Sequence, residues 1–219
     1  TNLKHATART KAMEVLVGLG ETAVPALIEV LQSEKRDVGQ TSAATVFGMM
    51  GAKAKEAVPA LIDYIQNSNR YQKEKAVYPG AKYIPIHDAL LEMLKEADVT
   101  YGVEALGNIG VEAKAAVPVL VQIYKSPEYS DNLEIRRCII VALSEIQSMP
   151  EISVPVLVDG LKDPEDDIKV KVINALKNFG SVAKESVGDL RMIIKYSSNA
   201  QIKNAAIVAL SAIDEGEDN

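Results

Sequence analysis

The chain has one cysteine, two histidines, no tryptophan and two phenylalanines in 219 residues, and each scarcity removes a class of chemistry. Cys138 has no second cysteine to pair with, so no disulfide can close a loop within the chain. It lies in an apolar helical run, Ile135 to Ile146, where it reads as a small buried hydrophobe. His5 lies near the chain start and earns no role, and His87 stands without further histidine or cysteine at metal-ligand spacing. No nucleophile elbow, phosphate-binding glycine loop or His-Glu metal motif occurs. We therefore assign no catalytic, cofactor-binding or metal-binding residue, and expect a chain that is not an enzyme and needs no cofactor.

Aromatic residues make up only 5% of the chain, so the core must be built from Ala, Val, Leu and Ile in close helix contacts. No apolar run has the length of a membrane span. Positive charge is also short: the net charge is −6, and four of the acids (Asp214, Glu215, Glu217, Asp218) crowd the tail 214–219. A body so close to neutral lacks the basic footprint that displaces counterions from phosphate, so nucleic acid is not expected as a partner. The secretory leader pattern is missing, and residue 1 is Thr rather than Met. The compartment is left open between the cytoplasm and export as a mature chain, and the oligomeric state is open too.

What the chain does have is a repeat. Val24-Pro25-Ala26-Leu27 returns as Val58-Pro59-Ala60-Leu61, Val117-Pro118-Val119-Leu120 and Val154-Pro155-Val156-Leu157. A weaker copy, Tyr83-Ile84-Pro85-Ile86, and a proline-free one, Val187-Gly188-Asp189-Leu190, complete the series. The intervals are 34, 26, 33, 37 and 33 residues, a period that means stacked helical hairpins. Proline fits the first turn of a helix, where its missing N–H would have no partner, so each copy is expected to open a second helix. The first helices are expected over about 7–19, 39–50, 99–109, 135–146, 168–179 and 202–213, several closed by a glycine. Residues 1–213 thus read as a single all-α solenoid of about seven hairpins, the third irregular and the seventh keeping only its first helix, followed by the acidic tail 214–219.

The pattern resembles the HEAT repeats, in particular the short bacterial type first noticed in phycobilin lyases. The resemblance rests on Ala105-Leu106-Gly107-Asn108-Ile109-Gly110 with Ala116 to Leu120, on Arg136 with Ala142-Leu143, on Lys169 with Ala175-Leu176, and on Lys203 with Ala209-Leu210. It implies a HEAT-like α-α superhelix whose second helices line a concave surface. It also implies that Arg9, Arg136, Lys169 and Lys203, each one place after the first apolar residue of its helix, form a ladder between hairpins. Gln40 and Val99 interrupt that ladder.

The third hairpin breaks the rule. Between Gln66 and Pro85 two turn signals, Asn67 to Asn69 and Pro79-Gly80, leave no room for a full first helix. Arg70, Lys73, Lys75 and Lys82 face one acid, Glu74, and Tyr71, Tyr78 and Tyr83 are interleaved with them. Tyr64 and Tyr101 lie close in the repeat order, and His87 takes a place where other copies have Leu. Tyr and Arg are enriched in binding hot spots, so these ten residues are the candidate partner-binding set. The reading is a non-catalytic scaffold or adaptor that binds a protein or extended peptide on the concave face and the irregular third repeat. A bilin lyase or lyase-like chaperone that binds a linear tetrapyrrole is the alternative that the resemblance implies.

Overall fold

Helix ends decide how this chain is laid out. Gly20, Gly51, Gly110 and Gly180 all take positive φ, between 57° and 73°, at the places where the repeat closes a first helix. Each begins a 3-10 segment, Gly20–Ala23, Gly51–Ala57, Gly110–Ala116 or Gly180–Ser186, that leads into the next helix. The computed structural model describes residues 2–33, 38–67 and 85–214, and all regular structure among them is helical. The elements are α1 (Asn2–Leu19), α2 (Val24–Leu31), α3 (Val38–Met50), α4 (Val58–Gln66), α5 (Pro85–Ile109), α6 (Val117–Tyr124), α7 (Leu133–Ile146), α8 (Pro150–Gly160), α9 (Asp166–Phe179), α10 (Val187–Tyr196) and α11 (Ala200–Asp214). They fall into two compact halves, Thr1–Ile109 and Gly110–Asn219.

In the N-terminal half the core forms where stripes on α3 and α5 meet the hairpin before each. On α5 the stripe is Asp98, Gly102, Ala105 and Ile109, all buried. A Cβ at Gly102 would stand 2.2 Å from Ile65 Cγ2, so only glycine lets α5 lie this close to α4. Ala105 lies against Gly48 of α3. The C-terminal half repeats the arrangement, with Ile135, Ile139, Ala142 and Ile146 on α7, Val172 and Ala175 on α9, and Ile202, Ala206, Ala209 and Ile213 on α11. Gly160 of α8 sits between Ile140 of α7 and Val172 of α9. Burying an aliphatic side chain of this size stabilises by about 1.5–3 kcal/mol.

Three sequence expectations are corrected. The Pro85 helix and the Val99 helix are one element, the 25-residue α5, because no glycine or proline lies between Pro85 and Gly102 to stop it. Pro155 does not open its helix. Pro25, Pro59 and Pro118 stand in first turns as expected, whereas α8 starts at Pro150 and carries Pro155 in its interior. Pro150 stands in the register of Ala54, Ala113 and Ala183, whose ψ values of 16° to 21° interrupt the other linkers; the fixed φ of proline instead starts a helix there. Cys138 is half-buried, one place off the α7 stripe, rather than buried.

The expectation that no apolar run reaches the length of a membrane span is corrected too: among the described residues one stretch, Ala97–Tyr124, is long and apolar enough by composition to cross a membrane. Gly110 interrupts it at φ 73°, and Val99, Val103, Leu106, Val117 and Leu120 within it are fully buried in the protein.

The α7–α8 linker also carries backbone strain. Gln147 occupies the register of Gly110 and Gly180 yet has φ 46°, and Met149, just before Pro150, has φ 50°. A side chain in the left-handed region costs about 1–2 kcal/mol, which a glycine avoids. Gln147→Gly loses only an exposed hydrogen bond from Asn178 and is expected to raise the unfolding free energy by about 0.5–1 kcal/mol in urea denaturation, after the greater unfolded-state freedom of glycine is offset. Gly180→Ala, at φ 57° and ψ −139°, is expected to lower it by about 2 kcal/mol. Equal midpoints for Gln147→Gly and the parent chain would show that the linker is unstrained.

Candidate functional site

Most of the expected binding set, Arg70, Tyr71, Lys73, Lys75, Tyr78, Lys82 and Tyr83, lies outside the described residues. His87 falls on α5, but its side chain is outside them as well. Tyr64 is a core residue, 6% exposed, whose ring packs beside Gly102. Its hydroxyl donates to Asp98 Oδ1 at 2.6 Å, so it ties α4 to α5. Tyr101 is exposed on α5.

The expected ladder between hairpins has a definite job at two of its positions. The last carbonyls of a short helix have no partner within it and must find donors elsewhere. Gln40 Nε2 of α3 donates to Leu31 O at 3.0 Å and Ser33 O at 2.8 Å, at the end of α2. Arg136 Nη1 of α7 donates to Tyr124 O at 3.2 Å, at the end of α6. Gln40 and Arg136 share one register, so an amide and a guanidinium close the preceding second helix in the same way. Lys169, in that register too, turns instead to Asp166 of its own helix at 3.5 Å.

Arg136 does more than cap. Its guanidinium lies 4.0 Å over the Tyr124 ring, donates to the Tyr124 hydroxyl at 2.7 Å and pairs with Asp159 Oδ2 at 3.1 Å. The Tyr124 hydroxyl in turn donates to Asp159 in a short hydrogen bond, so α6, α7 and α8 meet at one cluster. Burial, followed by the bond to Asp159 and the charge of that carboxylate, pushes the Tyr124 pKa well up from its ordinary value of 10.0. Beside it, Arg137 Nε donates to Asp163 Oδ2 at 2.9 Å. Burial works to raise the Asp163 carboxyl, but the Arg137 bond and the Glu165 backbone N–H outweigh it, and its pKa falls below 3.8.

A groove with a volume of about 520 Å³ opens next to this cluster, where the end of α8, the start of α9 and the length of α10 converge. Lys162 and Lys169 with Asp166 and Asp189 supply charge of both signs along it, and Met192 and Tyr196 supply apolar surface, 56% and 64% exposed. Lys195 stands 4.9 Å over the Tyr196 ring. Lys125, Lys162 and Lys195 share a register, seven places after Pro118, Pro155 and Gly188, and all three are exposed. Sequence reasoning missed this row because it followed the irregular third repeat. The signal was present in the lysine that recurs at the end of three second helices, and in the proline-free copy that leads to Tyr196. Among the described residues no group of three or more His, Cys, Asp or Glu is placed to hold a metal ion.

Solved structures match this arrangement over nearly all of its length. A designed armadillo repeat protein in complex with the peptide (KR)4 is similar with a TM-score of 0.63 at 14% identity, over 97% of this chain and 94% of that one. A second designed armadillo repeat protein matches with a TM-score of 0.58 at 17% identity, over 94% and 92%, and an engineered protein with 0.52 at 20%, over 96% and 90%. The fold is a helical-repeat solenoid. No protein-family model and no curated protein matches the chain.

In this solenoid the Tyr124 cluster sets a pH limit that can be measured. A tyrosine whose folded pKa is raised holds its proton more tightly when folded, so stability is fully present below pH 10, the ordinary value, and falls as pH rises above it. Tyr124→Phe is expected to cost about 1 kcal/mol at neutral pH through its lost hydrogen bonds. It should also flatten the alkaline loss seen in thermal melts. An alkaline limb identical to that of the parent chain would exclude the cluster as its source.

Proposed function

We propose that the chain is a non-catalytic interaction module that holds an extended, acidic segment of a partner protein along the second helices of its C-terminal half. The register shared by the exposed Lys125, Lys162 and Lys195 carries this reading, with Lys162 lining the groove that Met192 and Tyr196 also line and Lys195 over the Tyr196 ring. Neighbouring helices pack about 8–10 Å apart, which is roughly three residues of extended chain at ~3.3 Å each. An acidic side chain on such a segment can therefore meet each lysine in turn. Tyr196 and Met192 offer the rigid ring and the adaptable thioether that binding surfaces use for contact area.

The peptide complex of the designed armadillo protein supports peptide binding by a fold of this kind. Its peptide is rich in Lys and Arg, whereas the row here is itself basic, so the charge preference is expected to be reversed. Two helices per hairpin and a period mostly between 33 and 37 residues favour the short HEAT-like type over a three-helix armadillo unit.

Fluorescence anisotropy with labelled extended peptides tests the proposal. A Glu/Asp-rich peptide is expected to bind with micromolar affinity that weakens with salt, and a Lys/Arg-rich peptide not to bind. Lys162→Glu with Lys195→Glu should weaken binding at least ~10-fold, about 1.4 kcal/mol, while Lys53→Glu in the other half leaves it unchanged. Equal binding of both peptides, or of neither, would sink the reading. A saturable absorbance change on titrating a linear tetrapyrrole, with no peptide bound, would favour the lyase-like alternative instead.

A further inference from the structure

The second helix of the sixth hairpin departs from the repeat at one side chain. Asp189 of α10 stands where the other copies have Ala26, Ala60, Val119 and Val156, so a carboxylate occupies a place built for a small aliphatic group. In the preceding second helix that place is closed, and Val156 of α8 is 2% exposed. Helices α2 and α4 pack on one another, as do α6 and α8, but α10 stands off α8 and leaves the groove between them. An unpartnered charge pressed against an apolar helix face is costly, which accounts for the gap. The walls come from the end of α8 and from α9, α10 and α11, so chain of the described stack bounds the groove on both sides of α10.

One face of α10 forms its floor. Asp189, Met192, Ile193 and Tyr196 follow at i, i+3, i+4 and i+7, with the carboxylate at one end and the ring at the other, about 10 Å apart along the helix. The other charges in the groove are already engaged. Asp166 accepts from Asn199 Nδ2 at 2.8 Å and has Lys169 at 3.5 Å, and Lys162 has Asp159 at 3.6 Å. Among the described residues the partly buried Asp189 side chain has no hydrogen bond or ion pair. The dipole of α10 favours a negative charge in its first turn, which is why the helix tolerates Asp189, but a dipole fills none of the positions at which a carboxylate accepts. Approach is open as well, since a Cβ at the neighbouring Gly188 would meet nothing within 4 Å.

We propose that Asp189 seats one basic side chain, an arginine, of the segment that lies along the lysine row. This rests on the reading above for the partner, and on the groove alone for the seat. The carboxylates of the segment meet the lysines at the helix ends, while the arginine reaches back along α10. Its stem lies over Met192 and Ile193, and its guanidinium makes a two-pronged bond to Asp189. Short side chains do not span that length. The partner is therefore acidic with a single positive charge at a fixed place, which separates it from a uniformly acidic chain.

Labelled peptides with Glu at every third position and one Arg moved through the places between them read the seat by anisotropy, against the neutral isostere citrulline. At one place Arg is expected to tighten binding at least ~10-fold over citrulline. Asp189→Asn, and Asp189→Val, which restores the residue of the neighbouring copies, should remove that gain without weakening the citrulline peptide. Lys162→Glu with Lys195→Glu should weaken both peptides and keep their ratio. Millimolar N-acetylarginine methylamide probes the seat without the lysine row: the Met192 methyl resonance, assigned with Met192→Leu, should shift in the parent chain and stay still in Asp189→Asn. Equal binding of Arg and citrulline peptides at every place would overturn the proposal, as would a gain that survives Asp189→Asn. If no peptide binds, the lysine-row reading fails by itself, and a Met192 signal that does not move overturns the seat as well.

Discussion

Everything in this fold depends on how closely one helix can approach the hairpin before it. A single hairpin of some thirty-five residues cannot bury its own apolar stripe, so it is stable only as part of a stack. Close approach demands small residues at the crossing points, and Gly48, Gly102, Ala105 and Gly160 occupy them. Close aliphatic packing also explains the scarcity of aromatics. A ring at the Gly102 position would force α5 off α4 and open the core along its whole length.

Short second helices make a second demand. With eight residues in α2 and in α6, most of the backbone groups in each belong to one end or the other. The glycine-led linkers feed their N-termini, and side chains from the following first helix close their C-termini. Gln40 and Arg136 show that the requirement is for a donor and not for a charge. At Arg136 the donor has been elaborated into a cluster with Tyr124 and Asp159, and the candidate groove opens beside that cluster.

The stripe, the linkers and the order of helices were legible in the sequence because identical stacking problems recur at fixed intervals and leave identical residues behind. Legibility failed where a signal was local. Pro155 looked like its counterparts Pro25 and Pro118, but Pro150 had already begun the helix. Tyr64 read as a surface hot spot because a lone tyrosine carries no mark of burial, and only the fold reveals that Asp98 waits for its hydroxyl. The lysine row was hidden for a different reason. A basic residue at a helix C-terminus also satisfies the helix dipole, so its recurrence gains meaning only when the groove and Tyr196 are seen beside it.

Asp98 carries a consequence beyond its own hydrogen bond. It puts a carboxylate into a stripe that is aliphatic at the matching Ile135 and Ile202, and its visible partner is a tyrosine that no other described second helix offers at that register. A hairpin bearing Asp98 can follow the one bearing Tyr64, but behind any other it would bury a polar group with that partner missing. The hairpins are therefore not interchangeable bricks. The repeat carries an address at this joint, and shuffling or deleting its hairpins would meet a barrier there that their shared period does not suggest.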